Sequence, residues 1–107
     1  MAEIILEKTA LQNAKSRAFR LSKADLPATL QIFDGTGSAS AKIQRSYDGS
    51  ETDATFEDYY IEGSIKTVTE ADTNMTAIDA PGVYRVVKTT SGDGGVSLST
   101  STQTPGP

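Results

Sequence analysis

The sequence predicts an all-β protein: a single small β-sandwich or barrel, jelly-roll or immunoglobulin-like, of seven to eight antiparallel strands with an extended N-terminal arm. Three observations carry that expectation. Short segments alternate apolar and polar residues at intervals of about ten residues. Clusters of Gly, Pro, Asp and Asn with turn chemistry lie between them. No segment of helical length repeats its apolar residues with a helical period. The clearest pair of segments comes last, where Pro81–Thr90 and Val96–Thr100 flank the glycine-rich run Gly92-Asp93-Gly94-Gly95, which predicts a β-hairpin.

Taken in chain order, residues 1–16 read as an N-terminal arm or first strand, 17–100 as the sandwich, and 101–107 as a polar C-terminal tail without apolar side chains. Ile4–Leu6 is short and apolar. Although Leu6, Ala10, Leu11 and Ala14 also suit a helical face, the extended form is preferred. In Ala18–Ser22, alternation places Phe19 and Leu21 inward and Arg20 outward. Asp25-Leu26-Pro27 interrupts the chain, since the residue before proline disfavours helical dihedrals. Ala28–Phe33 then alternates again, so Ala28, Leu30 and Ile32 are expected on one buried face. Asp34–Gly37 is turn material, and Ser38–Ser46 is the clearest half-buried strand. Tyr47-Asp48-Gly49-Ser50 predicts a turn with Gly49 at positive φ. Phe56–Ile61 reads as a strand carrying most of the aromatic mass, separated by Gly63 from a strand over Ser64–Thr69. Residues 70–74 read as a loop, Met75–Ile78 as a short strand, and Asp79–Gly82 as a tight turn.

The 107 residues are enough for one domain, and only 36% of them are hydrophobic, with seven aromatics and no Trp. A thin core follows, one that burial against partners would supplement. The absence of Cys excludes disulfides and thiolate chemistry. Apolar runs are too short for a secretory core or a bilayer span, so synthesis in a cytoplasm and no membrane association are expected. The charge is uneven. Residues 1–47 hold seven basic and four acidic groups, net +3, whereas residues 48–107 hold three and ten, net −7. Five of the cations, Lys8, Lys15, Arg17, Arg20 and Lys23, fall in one stretch without an acid. If that separation persists in space, copies of the chain would meet basic patch to acidic patch.

The residues that carry catalysis are largely missing. Without His or Cys the usual general base and the most reactive nucleophile are absent, so no enzyme, no catalytic residue and no cofactor are expected. Glu51 with Asp53 and Glu57 with Asp58 are paired carboxylates. They lie in an acidic, polar stretch, where neither would have the apolar pocket that raises a general acid's pKa. Asp72 begins a calcium-loop spacing, but Ala77 and Val83 stand where Gly and Glu are required, so no metal site is assigned. A loop site drawing on Asp34, Asp48, Glu51 or Asp53 stays open. Neither Gly-rich turn has the Lys and Ser/Thr of a phosphate loop. The net charge of −4 argues against nucleic acid. Phe56, Tyr59, Tyr60 and Tyr84 are expected in the core or a subunit interface. The alternative is an exposed aromatic patch, Tyr59, Tyr60 and Tyr84, on a carbohydrate-binding module.

The succession Arg17–Ser22, Leu26–Ile32, Ala41-Lys42-Ile43-Gln44-Arg45-Ser46-Tyr47-Asp48-Gly49 and Pro81–Lys88 resembles the small β-sandwich virion structural proteins of tailed bacteriophages. The likeness spans nearly the whole chain and rests on a strand ending in Ser-x-Asp-Gly and a later Pro-Gly-x-Tyr-Arg strand. Glu51–Asp53 stand where that group has a Trp after the Asp-Gly turn. The resemblance implies a head decoration or cement protein on the outer capsid, binding the major capsid protein or other virion proteins, as a homo-oligomer with a trimer favoured. It implies a virion location and an anchor built from Lys8, Lys15, Arg17, Arg20 and Lys23, with Arg45 and Arg85 pairing across subunits. A tail, baseplate or fibre-associated position is the alternative within virions.

Overall fold

The computed structural model describes residues 3–33, 39–69, 76–89 and 94–101. The turn read over Asp34–Gly37, the loop over 70–74, the Gly92–Asp93 part of the glycine-rich run and the tail beyond Ser101 fall outside the described residues. The strands are β1 (Glu3–Thr9), β2 (Phe19–Leu21), β3 (Ala28–Phe33), β4 (Ser40–Ser46), β5 (Phe56–Asp58), β6 (Tyr60–Ile61), β7 (Ser64–Ile65), β8 (Thr67–Thr69), β9 (Thr76–Ile78), β10 (Gly82–Lys88) and β11 (Gly94–Ser99). Single 3-10 turns at Lys23–Asp25 and Asp53–Thr55 are the helical elements among the described residues.

The strands form two antiparallel sheets, β1-β11-β3-β9 and β2-β10-β4-β5, with β8 also on β4. β5 pairs with Gln44–Ser46 and β8 with Ser40–Lys42, so they are two halves of one edge strand, interrupted by the β6–β7 hairpin. Counted that way there are eight strand positions in a small sandwich. The chain changes sheet at every step except from β4 to β5, and its first and last strands are neighbours. That is the strand order of a jelly roll, which gives each interior strand two partners.

The expected hairpin between the last two strands does not form. β10 lies between β2 and β4, and β11 lies between β1 and β3. Both edges of each strand are occupied by other partners, and β10 and β11 belong to different sheets. Period-2 patterning and turn residues are local signals, and they look the same for a hairpin and for an arch between sheets.

The N-terminal segment is not a free arm. β1 pairs with β11, with irregular register between Ile4 and Leu6 and between Leu6 and Thr9, and it buries Ile5 and Leu6. Residues 13–16 then run beside β10: the Asn13 and Ser16 amides donate to Lys88 O and Val86 O at 2.9 and 2.8 Å, and the Val86 amide donates to Ser16 Oγ at 2.9 Å. The Arg17 amide returns to Ile5 O at 3.2 Å, tying the two sheets together at this edge.

The core follows the predicted alternation. Phe19 and Leu21 are buried around exposed Arg20, Ala28 and Leu30 are inaccessible with Ile32 packed against them, and Ala41 and Ile43 face inward from β4. Tyr84 sits at the centre with no exposed surface, stacked on Phe19 at 6.1 Å and meeting Tyr59 edge-on at 5.4 Å. Its hydroxyl donates to Ala80 O at 2.7 Å, and burial raises its pKa well above that of a free phenol.

The strand read over Phe56–Ile61 is broken at Tyr59. Ile43 O accepts from the Tyr59 amide at 2.9 Å and the Ile43 amide donates to Lys66 O at 2.9 Å, so one residue of β4 anchors both roots of the β6–β7 ribbon. Its turn, Glu62-Gly63, has positive φ at both positions (54° and 82°), as a type I′ reversal requires. Gly82, read as part of a tight turn, instead opens β10. Its φ of 156° lies in the region that side-chain-bearing residues rarely adopt, which is what asks for glycine.

Candidate functional site

Alternation along β10 sends Tyr84, Val86 and Lys88 to one face and Val83, Arg85 and Val87 to the other. Arg85 is only 8% exposed although it points away from the core. The turn after β4 folds back over it: the guanidinium lies 4.4 Å from the Phe56 ring, Nη1 donates to Asp53 Oδ1 at 2.5 Å, and Nε donates to Gln44 Oε1 at 2.7 Å. Lys15 Nζ reaches the same Asp53 oxygen at 3.1 Å, Gln44 donates to Asp58 Oδ1 at 3.0 Å, and Lys42 Nζ reaches that oxygen at 3.0 Å. A continuous ladder, Lys15–Asp53–Arg85–Gln44–Asp58–Lys42, therefore crosses the outer face of this sheet. The hydrogen bond from Arg85, and then Lys15, holds Asp53 below the usual carboxylate range. Asp58 is lowered by its bond from Gln44 and then by Lys42. Asp48 is lowered by the Ser50 amide and the Ser46 hydroxyl.

This arrangement alters the reading of the basic residues. Arg17 pairs with Glu3, Arg20 approaches Glu51 at 4.0 Å and donates to Gly49 O at 3.2 Å, and Lys15 is bound to Asp53. Lys8 and Lys23 are exposed. Arg85, expected to pair across subunits, has its guanidinium covered and engaged within the chain by Asp53, Gln44 and the Phe56 ring. The charge asymmetry along the sequence likewise closes intramolecularly: Lys15, Arg20 and Lys42 from the basic half meet Asp53, Glu51 and Asp58 from the acidic half. The reason is topological, since β2, β4 and β5, though distant in sequence, share a sheet.

The aromatic residues do not form one patch. Tyr84 is buried and Tyr59 is half-buried against it, while Tyr60 is 56% exposed on the ribbon. There Tyr60 pairs across the strands with Ile65, and Ile61 with Ser64, leaving three large apolar side chains accessible on four strand residues. Sequence reasoning missed this grouping, with Tyr60 and Ile65 on one face of the ribbon and Ile61 on the other. The break at Tyr59 that lifts it off the sheet depends on both roots meeting Ile43, a contact between distant segments.

A second feature missed in the sequence is a cleft of about 490 Å³ at one end of the sandwich, with Arg45, Tyr47, Glu57 and Tyr59 in its wall. Tyr47, read only as a turn residue, is 66% exposed there. Arg45 donates from Nη2 to Pro81 O at 2.7 Å and lies 5.6 and 5.9 Å from the Tyr84 and Tyr59 ring centres.

Among the described residues no group of three or more acidic side chains is placed to hold a metal ion. Of the residues considered for a loop calcium site, Asp48 and Asp53 are engaged by hydroxyl, amide and cationic partners, and Asp34 lies outside the described residues. Among the described residues no helix is long and apolar enough to cross a membrane. No protein-family model, curated protein or solved structure matches the chain.

Proposed function

We propose that this chain is a non-enzymatic structural protein of a bacteriophage virion, a capsid decoration or cement protein that binds the outer head as a homo-oligomer, with a trimer suiting local three-fold positions. The residue succession that resembles such proteins motivates the class. The observation that supports a docking role is the β6–β7 ribbon, where Tyr60, Ile61 and Ile65 stay exposed within four strand residues, whereas β1 leaves Ile4 as its one exposed large apolar side chain. Tyr60 and Ile65 share one face of the ribbon and Ile61 lies on the other, so both faces offer exposed apolar surface for a contact with another protein. The occupant is a capsid-lattice subunit, and its binding stabilises the shell by adding contacts that the bare lattice lacks. In this reading the ribbon is the anchor, and the cations of residues 8–23 serve mainly the fold.

Addition of purified protein to particles lacking it, with occupancy and heat resistance as readouts, tests the reading. Saturable binding that raises heat resistance is expected, and it is expected to disappear when Tyr60, Ile61 and Ile65 are all replaced by Ser. Arg17→Ala with Arg20→Ala is expected to keep occupancy at moderate salt. If the double arginine variant loses occupancy while the ribbon variant keeps it, the anchor is the basic edge. Binding to tails and not to heads moves the protein to the tail.

A further inference from the structure

We propose that the cleft at the end of the sandwich is a binding site for a neutral saccharide, with Tyr47 as the stacking platform, Arg45 as the donor to ring and hydroxyl oxygens, and Glu57 as the acceptor from hydroxyl groups. This site is separate from the ribbon and stands or falls independently of any virion role.

The first observation is the state of Arg45. Among the described residues, Arg17, Arg20 and Arg85 each have a carboxylate partner, and Arg45 has none. It is nonetheless held in place, by one hydrogen bond to Pro81 O and by the Tyr59 and Tyr84 rings beneath it. A guanidinium has five N–H donors in a fixed fork, so most of its donor capacity stays open toward the cleft. Arg45 is half-buried and so held, whereas a cation at the surface ordinarily keeps its rotamer freedom.

The second observation is Glu57. It lies directly opposite Arg45 in the β4–β5 register, on the same face of the sheet, yet it forms no ion pair with it among the described residues. A carboxylate and a guanidinium side by side but not bonded to each other present acceptors and donors at once, as vicinal hydroxyls require. Their charges cancel, and the other acid at the cleft, Asp58, is already bound by Lys42 and Gln44. That balance selects an uncharged polyol over a phosphate or an acidic sugar.

The third observation is Tyr47. Its ring is mostly exposed in a turn otherwise made of Asp, Gly and Ser, and it borders the cleft. A ring with a polar tip suits the mixed C–H and hydroxyl surface of a pyranose. Gly49 and Gly82 keep the walls low, and a Cβ at Gly82 would crowd Arg45 Nε at 2.9 Å. The volume of about 490 Å³ falls within the range of roughly 300–1,000 Å³ usual for small-molecule sites, enough for a short oligosaccharide.

The probes are a panel of neutral oligosaccharides of glucose, galactose, mannose and N-acetylglucosamine, with a sialylated and a phosphorylated sugar for contrast, read by calorimetry and tyrosine fluorescence. At least one neutral member is expected to bind saturably, and Tyr47→Ala and Glu57→Gln are each expected to weaken it tenfold or more without changing the thermal midpoint. Arg45→Lys is expected to weaken it too, because a point charge does not replace the fork. The ribbon variant Tyr60→Ser is expected to bind sugar normally. No saturable binding at millimolar sugar, binding indifferent to Tyr47→Ala and Glu57→Gln, or equal binding of the acidic sugars overturns the proposal.

Discussion

Strand β10 and the β6–β7 ribbon are both rich in residues that favour strands, yet one is the most buried element of the fold and the other the most exposed. β10 is hydrogen-bonded along both edges and buries all its residues from Val83 to Lys88, while the ribbon's four strand residues are all accessible. Tyr84 and Tyr60 make the contrast within one residue type, at 0% and 56% exposure. The difference shows that here burial is set by the number of neighbouring strands and not by side-chain hydrophobicity. The sandwich closes without the ribbon, so the apolar side chains there are free to serve a contact outside the chain.

The largest effects should come from breaking the interior. Tyr84→Ala is expected to cost about 3–5 kcal/mol, since it removes a fully buried ring that packs on both Phe19 and Tyr59. Tyr60→Ala is expected to stay within about 0.5 kcal/mol. Chemical denaturation of the two variants side by side measures the contrast, and similar losses would sink it.

A smaller loss is expected at Gly95 in β11, an interior strand of the other sheet. A Cβ there would run into the Phe33 ring and come within 2.7 Å of Leu6 O, and because the latter is backbone it cannot move aside freely. Gly95→Ala should cost about 1–3 kcal/mol by overpacking, seen as a lower midpoint with an unchanged denaturant slope. Tyr84→Phe comes next, at about 1 kcal/mol, because it keeps the ring and leaves Ala80 O without its donor.

The outer-face ladder predicts the shape of the acid limb. Asp53 and Asp58 have folded pKa values below their unfolded ones, so their contribution to stability is complete above the unfolded value of about 4 and is lost as pH falls through the lower folded values. Asp53→Asn should therefore lower the thermal midpoint at neutral pH and make it flatter between neutral and strongly acidic conditions than that of the parent. A parallel acid limb in the variant would show that Asp53 contributes nothing. The effect should be modest and salt-sensitive, since Asp53 itself is exposed. The smallest effect on stability is expected from the ribbon, where Ser at Tyr60, Ile61 and Ile65 should leave the midpoint near that of the parent and change only association.

The sequence by itself determined the all-β class, most strand segments and the side each residue takes. Phe19 and Leu21 around Arg20, Ala28 with Leu30, and Ala41 with Ile43 were legible because side-chain alternation is a property of a single strand. The turn at Gly49 was legible for the same local reason, with φ at 79°. Only the tertiary structure decided what those strands meet. It sent β10 and β11 to different sheets and wove residues 3–17 into both. It closed Lys15, Arg20 and Arg85 onto acids and backbone carbonyls from elsewhere in the chain, and it separated Tyr84 from Tyr60. It also brought Arg45 and Glu57 to one cleft beside Tyr47. Each of these depends on which strand edges are already occupied and on how many layers cover a residue. Both are set by contacts between distant segments, which no local period or turn motif encodes.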